Sequence, residues 1–137
     1  MDLEANKSLV RQFFQVYITQ DYATLYECMA PNYSDNSLPQ VRCIEDAIMI
    51  LQSTHRAFPD IRVEIHDLIA ELDQVVFRGR FKGTHLGDFV GHPASGASVD
   101  FEAIEIFKIV NNKISGSWGY WPMGDILKQL RRMTPLQ

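Results

Sequence analysis

The stretch "IRVEIHDLIAELDQVVFRGRFKG", residues 61–83, decides the fold. Ile61, Val63 and Ile65 alternate with Arg62, Glu64 and His66. Val75, Phe77, Gly79 and Phe81 alternate with Val76, Arg78, Arg80 and Lys82. A period of 2 marks strands with one face in the core. Upstream, the apolar period is that of a helix. Val10, Phe13, Phe14, Tyr17 and Ile18 share one helical face, as do Ile44, Ala47, Ile48, Leu51, His55 and Phe58. A short second helix carries Leu25, Tyr26 and Met29 and is expected to end at Pro31. "PNYSDNSLP" reads as a loop with a short strand at Tyr33.

Downstream, residues 98–110 read as a long strand, the "NNK" at 111–113 as a hairpin turn, and residues 114–121 as the returning strand. A last helix, Asp125 to Arg132, closes the chain, with Asp125 as its expected N-cap. Helices followed by hairpin-connected strands give an α+β domain. The expected form is a cone, a curved antiparallel sheet around three N-terminal helices, with a ligand pocket at its wide end.

The whole chain, residues 1–137, suits one domain with one core. With 46% hydrophobic and 22% charged residues it has the composition of a soluble globule. A net charge of −4 argues against nucleic acid as the partner. Lys128, Arg131 and Arg132 form the one basic cluster, read as a solvated helix end. Cys28 and Cys43 match no disulfide framework or zinc spacing and read as reduced cytoplasmic thiols. No apolar run reaches the ~18 residues of a membrane span, and no membrane partner is expected. There is no GxSxG elbow, phosphate loop, dinucleotide fingerprint or HExxH.

"AFPD" (57–60), "RFKGTHLGDFVGHPASG" (80–96), "IEIFKI" (104–109) and "APNYSDN" (30–36) together resemble the SnoaL-like polyketide cyclase family of the NTF2-like superfamily. The resemblance spans nearly the whole chain. It implies a conical α+β fold, an apolar cavity, a homodimer through the outer sheet face, and ring closure by aldol chemistry with no metal or cofactor. Other members of the superfamily isomerise steroids, hydrolyse epoxides, hydroxylate polyketides or only bind, so the fold alone leaves the reaction open. The family's Glu-His-Trp and following catalytic Asp fall here on Gly116, Ser117, Trp118 and Pro122. The ionisable groups of that set are absent, so any chemistry must come from elsewhere in the cone.

Three residues are candidate proton carriers. Glu105 lies in phase with Val99, Phe101, Ala103 and Phe107, and a charge within an apolar alternation is either paired or raised in pKa. It reads as a pocket acid or base, or as a buried ion pair with Arg78 or Arg80. His85 in "GTHLG" is the second candidate, or a pin for the glycine-rich loop. Asp35, the third, sits with Asn36 where the family has Asp-His, in a segment that also suits a turn. Phe13, Tyr17 and Asn36 are expected to contact substrate, as are Trp118 and Tyr120 if strand parity places them inside. His55, His66 and His92 read as structural, surface or loop residues. The expected function is a cofactor-free cyclase or isomerase acting on a hydrophobic polyketide- or terpenoid-like molecule. The alternative is a binding or accessory protein that kept the cavity and lost the acid.

Overall fold

A computed structural model describes residues 2–132, with the Arg132 side chain of the basic cluster, Met1 and residues 133–137 lying outside the described part. Its elements run α1 (Leu3–Thr19), a 3₁₀ turn (Tyr22–Thr24), α2 (Leu25–Cys28), β1 (Met29–Asp35), α3 (Ile44–Ala57), β2 (Arg62–Glu71), β3 (Gln74–Thr84), β4 (Ser98–Val110), β5 (Lys113–Tyr120) and α4 (Met123–Arg132). The expected α+β architecture is present, with one correction. The five-stranded sheet, ordered β1-β5-β4-β3-β2, is mixed, because β1 runs parallel to β5.

Local chemistry explains the element ends. The Asp2 carboxylate accepts the Ala5 amide at 3.0 Å and caps α1, which therefore starts at Leu3, well before the apolar stripe that begins at Val10. Gln20, in the left-handed region at φ 57°, ends it. Pro31 does not stop α2. The chain is already extended at Met29, and Pro31 lies within β1, an edge strand, where a missing amide is tolerated. Asp125 is not the N-cap of α4, which begins at Met123. It sits in the first turn and accepts the Gln129 amide at 2.9 Å. Asn111 and Asn112 both have positive φ, 51° and 59°, the signature of a type I′ turn, and join β4 to β5 as the sequence implies.

The core lies between α1 and the inner sheet face. Phe14 stacks on Phe77 at 4.0 Å, and Phe13 meets Phe107 at 5.4 Å. All four rings are buried. Each strand sends alternate residues inward, so Val99, Phe101, Ala103, Glu105 and Phe107 line one face of β4. The outer face carries the charges. Arg78 Nε donates to Asp67 (2.6 Å) and its Nη1 to Glu102 (2.8 Å), while Arg80 pairs with Asp100 (2.8 Å) and Lys82 with Glu64 (2.8 Å).

At its start β4 extends beyond β5, whose pairing reaches only Ile104. There Gln129 of α4 takes the place of a neighbouring strand. Its Oε1 accepts the Asp100 amide at 2.7 Å and its Nε2 donates to the Asp100 carbonyl at 2.8 Å. Ile126 and Leu130, on the same helix, are buried in the core. No helix among the described residues is long and apolar enough to cross a membrane.

Candidate functional site

A cavity of about 510 Å³ opens between α1, α3, β1 and the far ends of β4 and β5. Phe13 and Tyr17 of α1 form one wall, as expected from their helical face. Glu105 of β4 lies opposite, only 8% exposed. Asp35 closes one side from the end of β1. Three of the five residues expected to contact substrate are placed otherwise. Asn36 is outside the lining, its side chain donating to the Ser117 carbonyl at 3.2 Å. Trp118 and Tyr120 face away from the cavity, and Gly119 and Trp121 line it.

A single extra residue in β5 causes that reversal. From the Asn turn, Val110 pairs with Lys113 and Ile109 with Ile114, but Lys108 then pairs with Gly116, leaving Ser115 as a bulge. Beyond the bulge, Phe107 pairs with Ser117 and Glu105 with Gly119. Uninterrupted pairing would have set Trp118 opposite Glu105. The bulge carries Trp118 and Tyr120 to the outer face, opposite Ile106 and Ile104.

Glu105 has none of the partners that an ion-pair reading requires. Arg78 and Arg80 point to the other side of the sheet and bind Asp67, Glu102 and Asp100. The Glu105 carboxylate accepts one hydrogen bond among the described residues, from Trp121 Nε1 to Oε2 at 3.2 Å. Burial pushes its pKa up to about 7, the Asp35 charge pushes the same way, and the Trp121 N–H holds it down. A carboxyl so placed can give or take a proton near neutral pH. Gly119 pairs directly across from it, and a methyl there would make only ordinary contacts, 3.8 Å to the Glu105 Cγ and 3.4 Å to Ser37 Oγ.

Polar groups around Glu105 are held in fixed positions. Asp35 accepts both the amide (2.9 Å) and the hydroxyl of Ser37, an Asx turn, and Ser37 Oγ in turn accepts the Gly119 amide at 3.1 Å. Tyr33 hydrogen-bonds Ser117. Burial raises the pKa of both Tyr17 and Tyr33, so they remain neutral phenols. Pro122 does not line this cavity.

His85 lies elsewhere. It is fully buried beneath the loop between β3 and β4, and it is not among the cavity-lining residues. Its Nδ1 meets Ser95 Oγ at 2.9 Å and accepts the Ser95 amide at 3.2 Å, and its ring packs on Phe58. These contacts pin the loop. Gly87 lets the same loop press onto α3, since a Cβ there would lie 2.1 Å from the Arg56 carbonyl oxygen. The loop then places Phe89 and Val90 at the cavity mouth. His55 is structural, with Nδ1 against Tyr22 Oη (2.7 Å) and Nε2 against the Tyr17 carbonyl (2.9 Å).

Trp121, Tyr33, Ser37 and Gly119 were not singled out as site residues in the sequence. The signal for Gly119 and Trp121 was the β5 register, which the bulge conceals; Tyr33 and Ser37 lie on β1 and the turn after it. Among the described residues no three His, Cys, Asp or Glu side chains are grouped to hold a metal ion.

The SnoaL-like polyketide cyclase profile matches residues 7–130. No curated protein sequence matches at significance. Among solved structures, TsrD from Streptomyces laurentii is 26% identical with a TM-score of 0.90, covering 96% of this chain and 98% of its own. A protein from Jannaschia sp. CCS1 carrying the same family description is 25% identical at TM-score 0.87, with 97% and 94% covered. A SnoaL-like polyketide cyclase from Agrobacterium tumefaciens, 20% identical at TM-score 0.80 with 95% and 99% covered, shares the fold. Fold, motifs and profile agree over nearly the full length, and the chain belongs to the SnoaL-like polyketide cyclase family.

Proposed function

We propose that the protein is a cofactor-free cyclase or isomerase that moves a proton on a hydrophobic, polyketide- or terpenoid-like small molecule, with Glu105 as the proton carrier. The observation that supports this is the Glu105 carboxyl: buried, free of any cation, and on the wall of an otherwise largely apolar cavity. In its carboxylate form it removes a proton α to a carbonyl. In its acid form it returns one to the enolate carbon or to the oxygen. Asp35 and the Tyr33 and Tyr17 hydroxyls offer polar contacts that orient the carbonyl, and the aromatic walls fold the remaining chain around the reacting carbons.

The test is proton exchange itself, which needs no knowledge of the natural product. A bicyclic ketone such as 2-tetralone is followed by NMR in D₂O at pH 7. Wild-type protein is expected to accelerate exchange of the α-protons, and Glu105→Gln to abolish the acceleration. Ligand binding with no catalysed exchange would instead favour the binding-protein alternative. Unchanged exchange in Glu105→Gln would remove the residue from its role.

Association of two copies through the outer sheet face belongs to the same proposal. Ile69, Ile104 and Tyr120 are 61%, 40% and 61% exposed there, beside the Arg78 charge network. Light scattering is expected to give a dimer that Tyr120→Glu converts to monomer. A monomeric wild type would refute the assignment.

A further inference from the structure

The described residues that line the cavity include two carboxylic acids and no base. Among its lining residues Asp35 and Glu105 are the groups able to carry charge near neutral pH, and there is no Lys, Arg or His. The nearest arginines of the sheet, Arg78 and Arg80, are spent on the opposite face. Glu105 is more than nine-tenths buried, and its Oε1 accepts no hydrogen bond from the described residues. A buried carboxyl of this kind normally has a cation or a set of donors against it. Here Glu105 and Gly119, opposite it on β5, both line open cavity. Phe13, Tyr17 and Trp121 add aromatic surface around the same space.

We propose that the ligand of this cavity is a hydrophobic molecule bearing a basic nitrogen, whose protonated form supplies the positive charge that the protein withholds from Glu105 and Asp35. Three physical consequences follow. An ammonium or protonated ring nitrogen pairs with the Glu105 carboxylate and gains further from the aromatic faces. A carboxylate or a phosphate would meet the two acids, Asp35 and Glu105, with no counter-charge among the described lining residues, and could not favour the ionised form of Glu105. Pairing also favours the ionised form of Glu105, so a nitrogen-bearing substrate would itself convert the residue into the base that the proton-transfer reading needs. This inference rests on that reading of the cavity as the ligand site, but it concerns which ligand enters.

Three probes with one skeleton test it: 2-(aminomethyl)naphthalene, 2-naphthalenemethanol and 2-naphthoate, titrated by calorimetry at pH 6. The amine is expected to bind about ten-fold more tightly than the alcohol, and naphthoate most weakly, as for one new ion pair of modest strength. Amine binding should release protons to the buffer as Glu105 ionises, because Tyr17 and Tyr33 stay neutral at that pH and Asp35 is the other acid facing the site. Glu105→Gln should erase the amine's advantage and the proton release. Naphthoate binding as well as the amine, or an amine advantage that survives in Glu105→Gln, would overturn the proposal while leaving the tetralone exchange result standing. Failure of all three probes to bind would overturn it together with the use of this cavity as a ligand site.

Discussion

Replacing Glu105 by Gln should stabilise the protein above pH 4.5, and increasingly so up to about pH 7. The carboxyl has its ordinary value of 4.5 in the unfolded chain and is pushed up to about 7 in the folded one, chiefly by burial. Below 4.5 it is neutral in both states and has no effect on stability. Between 4.5 and about 7 the unfolded chain ionises and the folded one does not, so stability falls as pH rises. Above about 7 the full penalty is present, ~3 kcal/mol at ~1.4 kcal/mol per pH unit. The penalty is already ~1 kcal/mol at pH 5, so it grows by ~2–3 kcal/mol between pH 5 and pH 8. Glutamine is nearly isosteric, keeps a carbonyl for the Trp121 N–H, and does not titrate. Urea unfolding of both proteins at pH 5, 6, 7 and 8 isolates the residue, because every other group titrates alike in the pair. The variant's advantage should widen by ~2–3 kcal/mol across that range. Parallel stability curves for the two proteins would refute the reasoning, since they would mean that Glu105 is as easily ionised inside the fold as outside it.

Trp121→Phe removes the one hydrogen bond that favours the Glu105 carboxylate, so the Glu105 titration should move above about 7. Carbon-detected NMR of the labelled carboxyl reads this directly, and a midpoint that stays or falls would contradict it. Phe14→Ala deletes a fully enclosed ring that stacks on Phe77 and touches Phe107 and Phe81, and should destabilise the fold by about 3–5 kcal/mol in urea, with a value below ~1 kcal/mol counting against the core described here.

Much of the fold was legible because two different periods stood side by side. The helical spacing of Phe13, Phe14 and Tyr17 and the alternation of Val75, Phe77 and Phe81 each survive into the structure as buried faces. Glu105 was legible for the same reason, as a charge in the inward phase of β4. Its lack of a cation was not, because Arg78 and Arg80 are near neighbours in β3 and only the sheet's two faces separate them from it. Trp118 and Tyr120 were misplaced because their inward phase came from matching Gly116, Trp118 and Pro122 to the family's catalytic set, whereas β5 here holds one residue more than β4 opposite it, at Ser115. A bulge has no composition of its own, and alternation continues in the letters while the side chains change sides. A short strand at Tyr33 was read, but the full extent of β1 and its parallel pairing escaped, because Pro31 and the Asn- and Ser-rich segment around it look like loop and strand formation there depends on β5 offering an edge.

The pairing of Gln129 with Asp100 bears on how this chain avoids sticking to itself. The first residues of β4 would otherwise present open amides and carbonyls, a template on which a strand of another molecule could add. One glutamine amide occupies that template at Asp100, and Ile126 and Leu130 hold the helix that carries it against the core. The last helix is thus a clasp over a sheet edge, a protection against aggregation. The clasp is joined to Trp121 through Pro122 alone, so the segment that seals the edge also anchors the ring touching Glu105. Loss of the helix would release both at once: an adhesive strand on one side and an unsupported cavity wall on the other.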